Sequence, residues 1–323
     1  MRFISSVARR NVLVAAALLL ATAASAQTWP SKPIRILVGF APGGATDLIA
    51  RAIANRLSRD LGQTVLVENR AGAGGTLAAD VVAKAPGDGY TMLLGDPSSI
   101  TINPSMMKLP YDPVRDLAAV AQVVSMPMVL VASHKLGVKN VRELVAQQSG
   151  KLIHFGTPGT GTIQHLVMAD FARASGVQFT HAPYRGGAPL VTDVVGGHIP
   201  LGMLTVPTIL PMMQAGTLVP LGTMGKTRTA LLPEVPTFAE SGFPQFTQEI
   251  WQGFFVPAST PRPLVDAIAR ALHKAVQTPE VEKKMGELGA AVVTSNPPEF
   301  QTMVLDEIVY WARIIKQLGL DRQ

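Results

Sequence analysis

Two glycine-rich stretches offer binding chemistry. The first is Phe40-Ala41-Pro42-Gly43-Gly44-Ala45-Thr46-Asp47. The second is Gly156-Thr157-Pro158-Gly159-Thr160-Gly161-Thr162. Each separates an apolar run from a helical pattern. Glycine lets backbone approach a ligand with no Cβ in the way. A helix opening at such a loop presents unpaired N–H groups and about half a positive charge. The hydroxyls of Thr157, Thr160 and Thr162 add polar contacts, and Ser98, Ser99 and Thr101 follow a third apolar run. Two such mouths facing across a cleft favour an anion, held mainly by hydroxyls and backbone N–H groups. Arg185, flanked by Pro183-Tyr184 and Gly186-Gly187, is either the cation for a carboxylate or a surface arginine. Asp47 suits helix capping or a ligand amine; Asp193 suits a capping or solvated helix position.

Templates for bond-making chemistry are not met. Gly39 to Thr46 approaches a phosphate-binding loop, but Ala45 stands where the phosphate-reaching lysine is required. Gly72-Ala73-Gly74-Gly75 lacks the dinucleotide spacing. There is no G-x-S-x-G and no H-E-x-x-H, and the six histidines show no tight ligand spacing. With no cysteine, thiolate nucleophiles, disulfides and cysteine-ligated metals are excluded. The expectation is a binding protein with no enzymatic activity, cofactor or metal. His165, one turn beyond the second loop, reads as a packed or supporting imidazole, and Met203, Met212 and Met213 as core filler.

The elements that must position these loops alternate strand and helix. Ile34 to Phe40 is a nearly continuous apolar run, the pattern of a strand buried on both faces. Leu48, Ile49, Ala52, Ile53 and Leu57 then share a helical face, and Gly62 ends it. Thr64 to Glu68 and Thr91 to Leu94 are further strands around a helix at Gly75 to Ala85. The rhythm restarts with strands at Leu152–Phe155, Gln178–Ala182, Leu201–Val206 and Leu218–Thr223. Helices follow Gly161 and Gly187. Three more, opening near prolines, cover Pro261–Val276, Pro279–Leu288 and Pro297–Leu318. This implies two α/β lobes with parallel sheets. Val123–Ser133 and Ile250–Pro257 are the candidate crossings between them. Lobe 1 is then residues 27–125 plus 252–323, lobe 2 residues 126–251, and the last helices pack back on lobe 1. A strand order of 2-1-3 in the first lobe would place a ligand at Phe40–Thr46 and Gly95–Thr101, where the order reverses.

In 323 residues, 47% are hydrophobic and 15% charged, enough for a packed core and too apolar for a disordered chain. Residues 1–26 have the parts of a secretory signal: Arg2, Arg9 and Arg10, the apolar run Val12–Ala21, and Ala24-Ser25-Ala26 before the cut. Arg9-Arg10 leaves a twin-arginine route open beside the general one. Cleavage after Ala26 would turn 28 basic against 22 acidic residues into 25 against 22, too small an excess to argue for nucleic acid. The product would be soluble and, in a two-membrane bacterium, periplasmic.

Several stretches follow one another in a telling order: Trp29-Pro30 with Lys32-Pro33-Ile34, VGFAPGGATD (38–47), VENRAGAGG (67–75), APGDGYTMLLG (85–95) and INP (102–104). LPYDPVRDL (109–117), GTPGTGT-x-x-HL (156–166), PYRGG (183–187) and LPEVPTFAESG (232–242) complete the series. Together they resemble the Bug receptors, the extracytoplasmic solute-binding proteins of tripartite tricarboxylate transporters, over essentially the whole chain after residue 26. The resemblance implies a two-lobed periplasmic-binding-protein fold of type II, a Venus flytrap closing on a small carboxylate. It implies that Phe40, Ala41, Gly43, Gly44 and Asp47 form one gripping loop and Thr157, Gly159, Thr160, Gly161 and Thr162 the other. Tyr184 and Arg185 fall on the family's P-Y-[KR]-G element and Asp193 on its helix D-V. Ser98, in the individual loop Asp96–Ser99, and Thr205, in a segment without the usual aromatic, are expected at specificity positions. The implied partner is a membrane permease, with the receptor a monomer. The same fold presenting its ligand to a membrane signalling protein is the alternative.

Overall fold

The computed structural model describes residues 29–148 and 150–321; the export segment read at 1–26 lies outside them. Strand β1 (Ile34–Val38) is fully buried at Ile34, Ile36, Leu37 and Val38, as its unbroken apolar run requires. Helix α1 (Ala45–Leu61) follows and stops at Gly62, whose φ of 64° needs no Cβ. Then come β2 (Val65–Asn69), α2 (Thr76–Ala83) and β3 (Thr91–Gly95). β1 pairs in parallel with both, giving the order 2-1-3. A π-helical turn over Ser98–Ile102 runs into the short α3 (Asn103–Met106).

β4 (Leu117–Ala132) is sixteen residues long and belongs to both halves of the molecule. Up to Pro127 it pairs with β9; from Met128 it pairs with β7 on one side and β8 on the other. Pro127, with no N–H to donate, sits where the partners change. After it come α4 (Val141–Gln148), β5 (Leu152–Thr157), α5 (Ile163–Ser175), β6 (Gln178–Pro183), α6 (Gly187–Gly196) and β7 (Leu201–Thr205). β5 lies in parallel between β6 and β7, repeating the first lobe's arrangement. α7 (Val206–Gln214) and β8 (Val219–Met224) complete this half.

β9 (Glu249–Pro257) returns antiparallel to both β4 and β3. α8 (Arg262–Val276), α9 (Pro279–Glu287), β10 (Ala291–Val292) and α10 (Pro297–Gln317) end the described chain. α8 and α10 pack against β4, and α8 against α1. The parallel sheets expected from the sequence hold for β1–β3 and for β5–β7. The crossing strands and β8 and β10 are antiparallel, because each returns the chain along a strand already laid down.

α4, α7 and β10 have no counterpart in the sequence reading. α7 contains Pro207 and Pro211, which mask a helix; Pro207 is harmless in the first turn, where N–H groups have no intrahelical partner.

Candidate functional site

Four helices point their N-termini at one cavity between the lobes. Gly44, Ala45 and Thr46 belong to the first turn of α1, Gln164 to α5, Gly187 to α6, and Thr205 and Thr208 to α7; all line a cavity of about 40 Å³. Phe40, Pro158 and Leu204 add apolar wall, and Met126 and Ile250, paired across the two crossing strands, form its floor. α1, α6 and α7 have no side chain bonded to their first N–H groups. Those donors are left for a ligand, and the aligned peptide dipoles contribute positive potential at the helix N-termini. No lysine, arginine or histidine lines it among the described residues.

The two glycine-rich loops differ in how they take part. In the first, the Asp47 carboxylate accepts from Gly43 N at 3.0 Å, from Asn69 Nδ2 at 3.0 Å and from Arg51 Nε at 2.9 Å. Burial pushes the Asp47 carboxyl up, but these bonds outweigh it and hold the group below its ordinary value. Asp47 therefore shapes the loop and is not among the residues lining the cavity. Gly43 has φ 80°, a turn that leads the chain into α1.

In the second loop the polar groups bind one another. Thr157 Oγ1 donates to Gly159 O at 2.9 Å and shares a hydrogen bond of 2.6 Å with His181 Nε2. Thr162 Oγ1 donates to the same Gly159 carbonyl at 2.8 Å and accepts from His165 N, capping α5. His165 stacks on His181 with ring centroids 4.0 Å apart. Burial pulls His165 down to about 4; burial and then the neighbouring His165 pull His181 down to about 3. Both rings are neutral near pH 7 and brace the loop from behind. Thr157 and Thr162 are fully buried, Thr160 is exposed, and the loop gives the cavity only Pro158.

Of the other residues expected from the sequence, Phe40, Gly44 and Thr205 line the cavity. Ala41 N donates to Arg185 O at 3.1 Å, a backbone bond across the lobes. The Arg185 side chain is exposed, in an outer groove with Gly159, Thr160 and Tyr184. Tyr184 Oη donates to Asp193 Oδ2 at 2.7 Å, so these two support each other outside the cavity. Gly161 meets the buried amide of Asn103 where α3 and α5 approach, and Gly74 meets the same amide from its other side. Ser98 is fully buried, with its hydroxyl on Asp96.

Sequence reasoning passed over Asp96, Gln164, Thr208 and Gln252 as lining residues. Asp96 looks like a turn residue before Pro97, and Thr208 belongs to the masked helix. Gln252 carried a readable signal: a lone amide inside the apolar run Ile250–Pro257. It is 2% exposed, and its Nε2 donates to Thr46 Oγ1 at 2.7 Å. Among the described residues Asp96 is the one acidic or basic side chain in the lining. Burial pushes its carboxyl up to about 6 against hydrogen bonds from Ser99 and Ser98.

Two α/β lobes joined by crossing strands around a cavity faced by uncapped helix N-termini define a two-lobed solute-binding protein. Comparisons narrow that class. Residues 49–320 match the model of the tripartite tricarboxylate transporter family receptor. Protein BugT of Bordetella pertussis (strain Tohama I) is 34% identical over 304 residues, 93% of either chain. The solved structure of the periplasmic binding protein BugD superposes with a TM-score of 0.86 at 33% identity, covering 91% of this chain and 100% of that one. Rpa4515 of R. palustris, solved with adipate, gives a TM-score of 0.87 at 31% identity, covering 90% and 98%. The chain belongs to the tripartite tricarboxylate transporter receptor family, among its Bug proteins.

Proposed function

We propose that the protein captures a small carboxylate in the interlobe cavity, outside the cytoplasmic membrane, and delivers it to the membrane subunits of a tripartite tricarboxylate-type transporter. One observation carries this reading: three helix N-termini without side-chain caps open onto a single cavity that has no basic side chain. Such a site compensates an anion with backbone N–H groups and hydroxyls, as suits a ligand that must be released. The adipate bound by the relative Rpa4515 is a carboxylate of this kind.

In this reading Phe40, Gly44, Thr46, Thr205 and Thr208 contact the ligand. Gly43, Asp47, Thr157, Gly159, Gly161 and Thr162 hold the loops in shape. Ala41, Thr160, Tyr184, Arg185 and Asp193 belong to the seam that forms when the lobes meet. The lobes are residues 27–125 with 252–323, and 126–251. Since a ligand touches both only when they are together, its binding energy favours the closed form. The family is one of receptors, and the chemistry required of the site is binding alone.

A thermal-shift screen over organic acids tests this. An acid at 100 times its Kd should add about 2.7 kcal/mol of stability. Thr205→Val and Thr208→Val should each weaken the best hit several-fold, with Arg185→Ala within twofold of the parent. A hit whose affinity ignores both threonine variants would place the site elsewhere.

A further inference from the structure

Two buried polar side chains of the cavity lining, Asp96 and Gln252, are not used by the carboxylate reading. β3 and β9 pair antiparallel with Gly95 opposite Gly253, so the next residues, Asp96 and Gln252, stand side by side where β3 ends. Both line the cavity, at 6% and 2% exposure. One end of the Gln252 amide is taken by Thr46, and its Oε1 has no hydrogen-bond partner.

Asp96 accepts from neutral donors only: Ser98 Oγ at 3.0 Å, Ser99 N at 3.2 Å and Ser99 Oγ at 3.1 Å. Asp47, the other buried acid of this lobe's cleft side, has Arg51 as its cation; Asp96 has none among the described residues. Nor do its neighbours supply one. Tyr111 Oη donates to Ser99 O, and Glu307 takes the Thr101 hydroxyl and the Trp251 indole N–H. A buried carboxylate without a cation is unfavourable unless a partner arrives.

We propose that Asp96, with Gln252 beside it, receives the ammonium group of the ligand, so that the receptor selects small amino acids over plain mono- and dicarboxylates. The ligand carboxylate goes to the uncapped turns of α1, α6 and α7, and its ammonium to Asp96. Zwitterion and site then compensate each other end to end. A dicarboxylate would set its second negative charge against Asp96 with no basic residue in the lining to offset it. Asp96 thus discriminates between ligands, where the helix termini bind whatever carboxylate enters. The inference rests on the reading of the cavity as a carboxylate site and adds the class of carboxylate.

Isothermal titration of the purified protein at pH 8 with matched probes tests it. The pairs are L-alanine against propionate, L-aspartate against succinate, and 4-aminobutanoate against glutarate. The best amino-bearing probe should bind at least tenfold more tightly than its counterpart. Asp96→Asn keeps an acceptor for the Ser98 and Ser99 turn but removes the charge. It should weaken that probe at least tenfold and leave plain carboxylates equal or tighter. If a plain carboxylate beats its amino partner on the parent protein, the inference fails and the carboxylate-receptor reading stands. It fails in the same way if Asp96→Asn, folded by circular dichroism, loses both classes alike. Binding of no probe from either column, by protein that melts cooperatively, would overturn the receptor reading and this inference with it.

Discussion

The two glycine-rich loops have similar sequences and different physical tasks. Phe40–Asp47 ends in a helix whose first N–H groups carry no side-chain cap, and Gly44, Ala45 and Thr46 reach the cavity. Thr157–Thr162 ends in a helix capped by Thr162, and the hydroxyls of Thr157 and Thr162 are closed on Gly159 and His181. Asp47 draws the first loop's polar groups back toward the lobe interior and leaves the mouth open; the threonines and histidines make the second a rigid wall. A glycine-rich strand-to-helix turn is thus compatible with presenting donors or with consuming them. What decides is whether the residue before the helix can cap it.

The largest effect expected from this contrast comes at Gly161. Its φ is 71°, and an added Cβ would collide with the Asn103 amide. Gly161→Ala should destabilise the protein by about 3 kcal/mol from strain and overpacking together. It should also weaken ligand binding, with partial recovery when Asn103→Ala is added, measured by urea unfolding and titration. Recovery absent, the seam would not be where the two halves meet.

Next is pH. His165 and His181 are held well below the ordinary histidine value, so the unfolded chain binds protons that the folded chain refuses. Their contribution to stability is complete above about pH 6.5 and is lost as pH falls through about 4. Asp96 works in the opposite sense: its raised value favours the folded state below pH 3.8 and that contribution fades as pH rises through about 6. A melting-temperature profile should therefore fall on acidification below pH 6.5, and His165→Gln with His181→Gln should flatten the fall. A profile unchanged by the double variant would remove the histidines from the second loop's support.

A smaller loss is expected for Thr162→Ala, about 1 kcal/mol for the missing cap, visible in the unfolding midpoint. Gly43→Ala should cost a similar amount of stability and have the smallest effect on the site. Its φ of 80° disfavours alanine by about 1 kcal/mol, yet a Cβ there would meet only Ala188 at 3.7 Å. Ligand affinity should stay within about threefold. If Gly43→Ala proves more damaging than Thr162→Ala, the first loop is the more rigid of the two and the contrast is reversed.

Much of the architecture was legible because strands buried on both faces read as apolar runs. β1, β3, β7 and β9 are legible that way, and the strand order around β1 follows from the alternation of strand and helix. Glycine marked where three of the four cavity-facing helices begin. α7 was hidden by its prolines. Asp96 was hidden for another reason: a side chain before a proline turn looks the same whether it faces solvent or a cleft, and only the pairing of β3 with β9 puts it beside Gln252. Arg185 shows the converse. Its type and flanking glycines drew attention, but its backbone carbonyl, which every residue has, makes the contact across the lobes.

Met126 and Ile250 sit opposite each other on the two strands that pass between the halves, and both form the cavity floor. Whatever occupies the floor therefore rests on the same two strands that hold the halves together.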